Sequence, residues 1–388
     1  RQLWQRGGMP PADEFAYTPT VYPVVHHEWG TGAALYAVSL LGGAPLLMAL
    51  KYLLTFGTAA FCFATARRRG ASWETILSLA PLTIVAGVIG FTTIRAQLFT
   101  LFFTAWLLYD LAGDEQRATW RRLCKWLPLY VAWLNLHAGF VVGLGIAALY
   151  AMESLVRRRP VRHLMVAGLA AGGLVAVNPY GFDYYPYLLH GLSMRRPLVT
   201  EWQPLHTAEP TMFRMYLVSL LIVTYAVCRL GVRRAPGLLI LAVTAYLAAR
   251  HTRHVSIYFV VWLCLVPGYV QQIGLGRALV EAWRRRRRWV AAGAALVAGF
   301  SLVRAVECAP WRLVVPTTVA DEQLGRPVYP VGAVEYLRHV QFSGNLFTPF
   351  VPGGYCLYQL HPAVKVSLDG RYEVAYRHGI LEENVAFY

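Results

Sequence analysis

The chain has 388 residues, of which 57% are hydrophobic and only 14% charged, and its mean hydropathy is +0.43. A soluble domain of that size needs more polar surface, so the composition excludes one. The formal net charge of +16 sits largely in arginine runs between apolar stretches; it reads as topology anchoring at anionic headgroups and asks for no nucleic-acid partner.

In chain order, residues 1–42 read as a first loop with an interfacial stretch at Ala33 to Gly42. Ten apolar stretches follow, at about 43–65, 74–93, 97–113, 126–137, 139–156, 164–178, 214–230, 236–250, 255–270 and 289–307. Several are shorter than the roughly 20 residues of a bilayer-crossing helix, which predicts bent or half-spanning pairs. The arginine runs at 67–69, 117–125, 157–162, 229–234 and 277–288 fall on one side, which the positive-inside rule makes cytoplasmic. Residues 1–42, the loop at 179–213 and everything after about 308 then lie outside. With ten spans and an outer start, a further span is expected to precede residue 1, and the chain reads as a fragment at both ends. The expected organisation is an outer loop with interfacial helix at 1–42, a transmembrane helical domain at 43–308, and an outer α/β segment at 309–388. The fold class is therefore an all-α polytopic membrane protein with a small α/β extracytoplasmic C-terminal segment.

The six cysteines show no metal-ligand spacing. Cys308 and Cys356 share the outer side, where an oxidising compartment would permit a disulfide.

Chemistry is expected on the outer face. Asp13 and Glu14 follow Pro10-Pro11, which holds the approach extended. His26, His27 and Glu28 come next. A carboxylate near the membrane there can serve as general base on an incoming hydroxyl, or simply cap a helix start. Further along, Arg95 and Gln97 break an apolar run, and Trp133, Asn135 and His137 sit at an outer-facing turn. Asn178 to Gly181 and Glu201 to Pro204 occupy the second outer loop. Arg250, His251, Arg253 and His254 form a dense basic cluster on the side where topology predicts few cations. Arginine there suits a phosphate or pyrophosphate; a headgroup tether or an ion pair to Asp183 or Glu201 is the plainer alternative. These groups are expected to line one outer cavity.

The segment Gly-Gly-Met-Pro-Pro-Ala-Asp-Glu-Phe-Ala-Tyr-Thr, followed by His-His-Glu-Trp at 26–29, resembles the first outer loop of bacterial GT-C glycosyltransferases of the protein-mannosyltransferase-like kind. Matching blocks continue in the same order through 95–100, 133–140, 178–181, 201–204, 253–254, 344–347, 353–355 and 368–373. The chain departs at Ala96, where relatives usually carry proline. It also lacks the helix that precedes the first loop in the family. The resemblance implies a GT-C-like helical bundle in a bacterial inner membrane. Its implied activity is transfer of a sugar from a polyprenyl-phosphate donor to an extracytoplasmic acceptor. It maps catalysis onto Asp13, with Glu14 beside it. Arg95, Arg250, Arg253 and His254 are the expected donor-phosphate ligands, and His27, Glu28, Asn135, His137 and Glu201 the expected substrate contacts. No metal site is assigned, although a divalent cation could use the first-loop acids and histidines. The expected partners are membrane lipid and the lipid-linked sugar. The rival expectation is a non-catalytic GT-C-like scaffold or accessory subunit among other membrane subunits.

In the C-terminal segment, short strands at Val314 to Pro316, Asn345 to Phe347 and Val364 to Leu368 alternate with a helix at 333–338. Gly353-Gly354-Tyr355 reads as a tight turn presenting backbone amides. Asp369-Gly370-Arg371 reads as a turn with an internal salt bridge, or as an acceptor contact.

Overall fold

A computed structural model describes residues 3, 7–8, 10–115, 120–194, 196, 199–309, 320–321, 326–327, 329–377 and 379–387. Met9 and the strand expected at Val314 to Pro316 lie outside the described residues, as does Arg117 of the second arginine run. The chain divides into two compact units. One gathers residues 1–29, 179–193 and 313–388; the other holds 30–178 and 194–312. The grouping differs from the expected linear division, because the first loop and the C-terminal segment share one unit and residues 30–42 belong with the helices.

The larger unit is helical. Its elements are α1 (Trp29–Arg68), α2 (Trp73–Gly87), α3 (Gln97–Asp114), α4 (Trp120–Leu136), α5 (Phe140–Val156) and α6 (Arg162–Leu174). After the inserted stretch that belongs to the smaller unit, with α7 at Tyr184–Ser193, come α8 (Leu205–Ala208), α9 (Pro210–Leu230), α10 (Leu238–Arg250), α11 (Val255–Gln272), α12 (Gly274–Arg285) and α13 (Arg287–Cys308). Among the described residues, five stretches are long and apolar enough to cross a membrane: Trp29–Arg68, Trp73–Phe91, Pro210–Leu230, Thr252–Gln272 and Arg287–Glu307. The ten expected spans are thus not ten full-length helices. α6 and α10 have 13 residues each, about 20 Å of helix against a hydrocarbon core of about 30 Å.

The packing follows from composition. α11 is apolar on every face and is buried along its length from Val255 to Val270, as a helix without a polar stripe must be. It packs on α2, α10, α3 and α9. α13 is equally apolar but bare, with Leu296, Phe300 and Val306 each about two-thirds or more exposed. Contiguous exposed apolar surface of that kind belongs in lipid rather than water. α1 breaks at Gly43 (φ 58°), with Pro45 two residues on. Only glycine takes such a backbone cheaply, and the proline ring cannot continue the preceding turn. At the end of α2, Ser256 Oγ donates to Gly87 O and accepts the Gly90 N–H, covering backbone groups freed as the helix tightens.

The arginines expected only as topology anchors also hold this unit together. Arg69 pairs with Glu115 and donates to Pro236 O; Arg157 pairs with Glu153 and donates to the carbonyls of Arg233 and Ala235. The connection from α9 to α10 is clamped by these two side chains.

In the smaller unit, β3 (Gly344–Leu346) and β4 (Val364–Val366) pair in parallel around α15 (Phe350–Leu360). Phe15 to Tyr17 add to the other edge of β4, where Val366 N–H donates to Phe15 O and Tyr17 N–H to Val366 O. β1 (Ala320–Asp321) and β2 (Arg326–Pro327) form a separate antiparallel pair. α14 (Val331–His339), the short α16 (Tyr372–Ala375) and α17 (Ile380–Phe387) complete the unit. Its cores are small: Val334, Cys356, Leu360, Val364 and Val366 in one cluster, and Ala16, Val24, Leu368, Ala375, Tyr376 and Leu381 in another. The tight turn expected at Gly353 to Tyr355 is absent; these residues are helical, inside α15. Gly353 is required there for a different reason. A Cβ at that position would overlap the Leu368 carbonyl oxygen, whereas Gly354 faces open space. Cys356 is a buried free thiol, so the pairing with Cys308 is not made.

Candidate functional site

The predicted site residues fall into two polar centres, one in each unit. In the smaller unit, Asp13 turns the chain into the edge of the β3–β4 sheet. Its Oδ2 accepts the N–H groups of Phe15 (3.1 Å) and Ala16 (2.8 Å), and its Oδ1 is paired with Arg371 Nη1. The same guanidinium grips Asp369 with Nη2 to Oδ2 at 2.7 Å and Nε to Oδ1 at 3.0 Å, and it lies over the Phe15 ring. Tyr376 adds its hydroxyl to Asp369 Oδ2 at 3.2 Å. The Asp13 side chain is wholly buried (0% exposed). Both of its oxygens are therefore engaged and shielded, a poor starting state for a general base. Burial works against the Arg371 charge, but hydrogen bonds and attraction from Asp369 and Asp13 outweigh it and raise the pKa above the ordinary arginine value. Burial, then the Asp369 charge, holds the Tyr376 hydroxyl protonated well above its usual range.

The histidines after this loop divide. Burial foremost, then repulsion from Arg371, lowers the His26 pKa to about 4, so its imidazole is neutral. His27 is half-buried and held on both sides of its ring. Its Nδ1 meets the Tyr187 hydroxyl at 2.6 Å, and its Nε2 lies 3.5 Å from Glu28 Oε1. Glu28 is half exposed (49%). Glu14 sits beside Asp13 but does not join the Arg371 pairings.

In the helical unit, the turn at Thr200–Trp202 is zipped to the turn at Thr252–His254. Thr252 N–H donates to Gln203 O at 3.1 Å, and His251 Nδ1 meets Trp202 O at 2.7 Å. Trp202 is the hub. The Arg196 guanidinium stands 4.2 Å from its ring centroid and that of Arg253 4.5 Å, while His251 and His254 meet the indole edge-on at 5.1 and 6.1 Å. Gln97 Nε2 donates to Arg253 O at 3.3 Å. Glu201 pairs with Arg95, with both side chains partly exposed, and not with the basic turn. Arg250 is exposed at the C-terminal end of α10, where a cation complements the helix dipole.

Two expected substrate contacts are occupied by structure. His137 is buried, with Nδ1 2.7 Å from Thr100 Oγ1, which in turn accepts the Trp133 indole N–H at 2.9 Å. Asn135 spends its amide on the carbonyls of Val131 and Val177 at 2.9 and 2.8 Å. Among the described residues, no group of three or more His, Cys, Asp and Glu side chains is gathered so as to hold a metal ion. The first-loop residues named for a divalent cation do not converge: Asp13 turns to Arg371, and His27 to Tyr187.

No family model matches this chain, and no curated protein or solved structure does either.

The salt bridge expected within Asp369-Gly370-Arg371 is present, but its extension to Asp13 was not read from the sequence. Tyr187, in an aromatic run without a motif, and Arg196 escaped sequence reasoning. Arg196 carried a usable signal. Arg195-Arg196 is a basic pair in the same outer stretch as Glu201, and the charge argument that singled out Arg250 to His254 applies to it equally.

Proposed function

We propose that this chain is an integral-membrane glycosyltransferase of the GT-C kind, which takes a sugar from a polyprenyl-phosphate donor and passes it to an extracytoplasmic acceptor hydroxyl. The observation that carries the reading is the Trp202 centre. Arg196 and Arg253 pack on one indole beside two imidazoles, and the neighbouring Glu201 pairs with Arg95. Two guanidinium groups are thus gathered on one ring, a donor type suited to a phosphate. As the bond from the sugar C1 to the phosphate oxygen breaks, negative charge grows on that oxygen. Fixed guanidinium donors aimed at that oxygen stabilise it more than they stabilise the intact donor.

The acceptor hydroxyl must lose its proton as it attacks. Asp13, the family's base by resemblance, would first have to release Arg371 and two backbone amides. Within the smaller unit, Glu28, half exposed and beside His27, is the more available first-loop carboxylate. The test uses purified protein in detergent with a polyprenyl phosphate as probe. Arg253→Ala and Arg196→Ala are expected to weaken binding by about tenfold or more, roughly 1.4 kcal/mol. Unchanged binding in both arginine variants, or no sugar transfer by the unaltered protein, overturns the reading.

One observation favours the scaffold alternative. The Asp13–Arg371–Asp369 network has the engaged, shielded form of a structural tie. On that reading the protein binds the lipid phosphate and transfers no sugar.

A further inference from the structure

The stretch 179–193, built of the 3₁₀ turn Gly181–Asp183 and α7, presents two stripes. One faces into its own unit: Tyr180, Tyr184 and Tyr187 stack in sequence at 6.5 and 5.6 Å, the Tyr180 oxygen accepts the His26 N–H, and Tyr187 meets His27. The other stripe is Phe182, Tyr185, Leu189 and Leu192, spaced three, four and three residues apart, which puts them on one helix face. Phe182 stacks on Tyr185 at 6.2 Å, and Phe182, Leu189 and Leu192 are 80, 70 and 68% exposed. The inward stripe packs within the unit, whereas Phe182, Leu189 and Leu192 of the other stand exposed.

We propose that this outward stripe lies in the headgroup–acyl boundary of a phospholipid bilayer, making α7 an interfacial helix. Its chemistry fits. Aliphatic and aromatic side chains share the face, as on helices that lie at a membrane interface. Its charged neighbours are few, Asp183 and His190, both exposed. Continuity along the chain points the same way. The stretch follows α6 within a few residues and leads to α9, which is long and apolar enough to cross a membrane. A stretch that runs on to such a helix is held near the bilayer.

The test places an environment-sensitive fluorophore at Leu189→Cys in the full chain, with accessible native cysteines replaced by serine, reconstituted in phosphatidylcholine vesicles. Nitroxide lipids labelled near the headgroup should quench it at least about twofold more than lipids labelled deep in the acyl chain. A label at Lys365→Cys, exposed on β4, should be quenched by neither. Leu192→Cys repeats the measurement should the first variant fail to fold. Absence of quenching at Leu189, as when another protein covers the stripe, overturns the proposal, as does equal quenching at Lys365 or stronger quenching from the deep label.

Discussion

Arg371 decides the fate of two carboxylates. It neutralises Asp13 and Asp369 at once, and both acids are buried beyond the reach of water. Removing one partner of such a network strands a buried charge, at a cost of about 3–5 kcal/mol. Arg371→Leu is therefore expected to melt the smaller unit at room temperature or just above, read as rapid proteolysis within 10–29 and 344–387. Asp13→Asn, which keeps the shape and the two backbone hydrogen bonds, is expected to cost less. His26 adds a pH dependence. Its pKa falls from 6.5 unfolded to about 4 folded, chiefly through burial. Between those values the unfolded chain binds the extra proton, so stability is complete above about pH 6.5 and drains away as the pH falls toward 4. Urea unfolding at pH 7 and pH 4.5 should show the loss, and His26→Gln should abolish that part of it.

The helices were legible because their cause is local. A run such as Val255 to Val270, apolar on every face, has one way to satisfy its backbone and hide its side chains. Lengths and breaks were less legible, since α6 ends short and α1 breaks at a single glycine. The error at Gly353 is instructive. Two adjacent glycines read as a turn by propensity, yet the helix forms and only one of them has a tertiary reason to be glycine. This separates two substitutions. Gly353→Ala, driven into the Leu368 carbonyl, is expected to cost more than about 2 kcal/mol. Gly354→Ala, with nothing nearby, is expected to be neutral or to stabilise by up to about 1 kcal/mol. Thermal unfolding of the pair checks both signs. The candidate site was half legible for the same reason. Arg253 and Glu28 stand out by residue type in their surroundings, whereas Asp13 looked catalytic because its partner, Arg371, is 358 residues away.

For the whole molecule, a division into two units with separate cores means that a single unfolding free energy does not describe the chain. Calorimetry in detergent is expected to show two transitions. Arg371→Leu should lower one and leave the other in place, while Arg69→Leu, which strands Glu115 among the helices, should do the reverse. One merged transition displaced equally by both variants would contradict that division.

The spacing of Asp13 and Arg371 also governs how the chain comes into being. A ribosome adding about 5–20 residues per second makes the arginine some 20–70 seconds after the aspartate it neutralises, since 358 residues lie between them. Throughout that wait the edge segment at Phe15 to Tyr17 has no strand to join, and the acid has no counter-ion. A nascent chain halted anywhere short of the last β-strand carries an open edge and an uncompensated carboxylate, the two marks by which quality-control proteases and chaperones could tell an unfinished copy from a finished one.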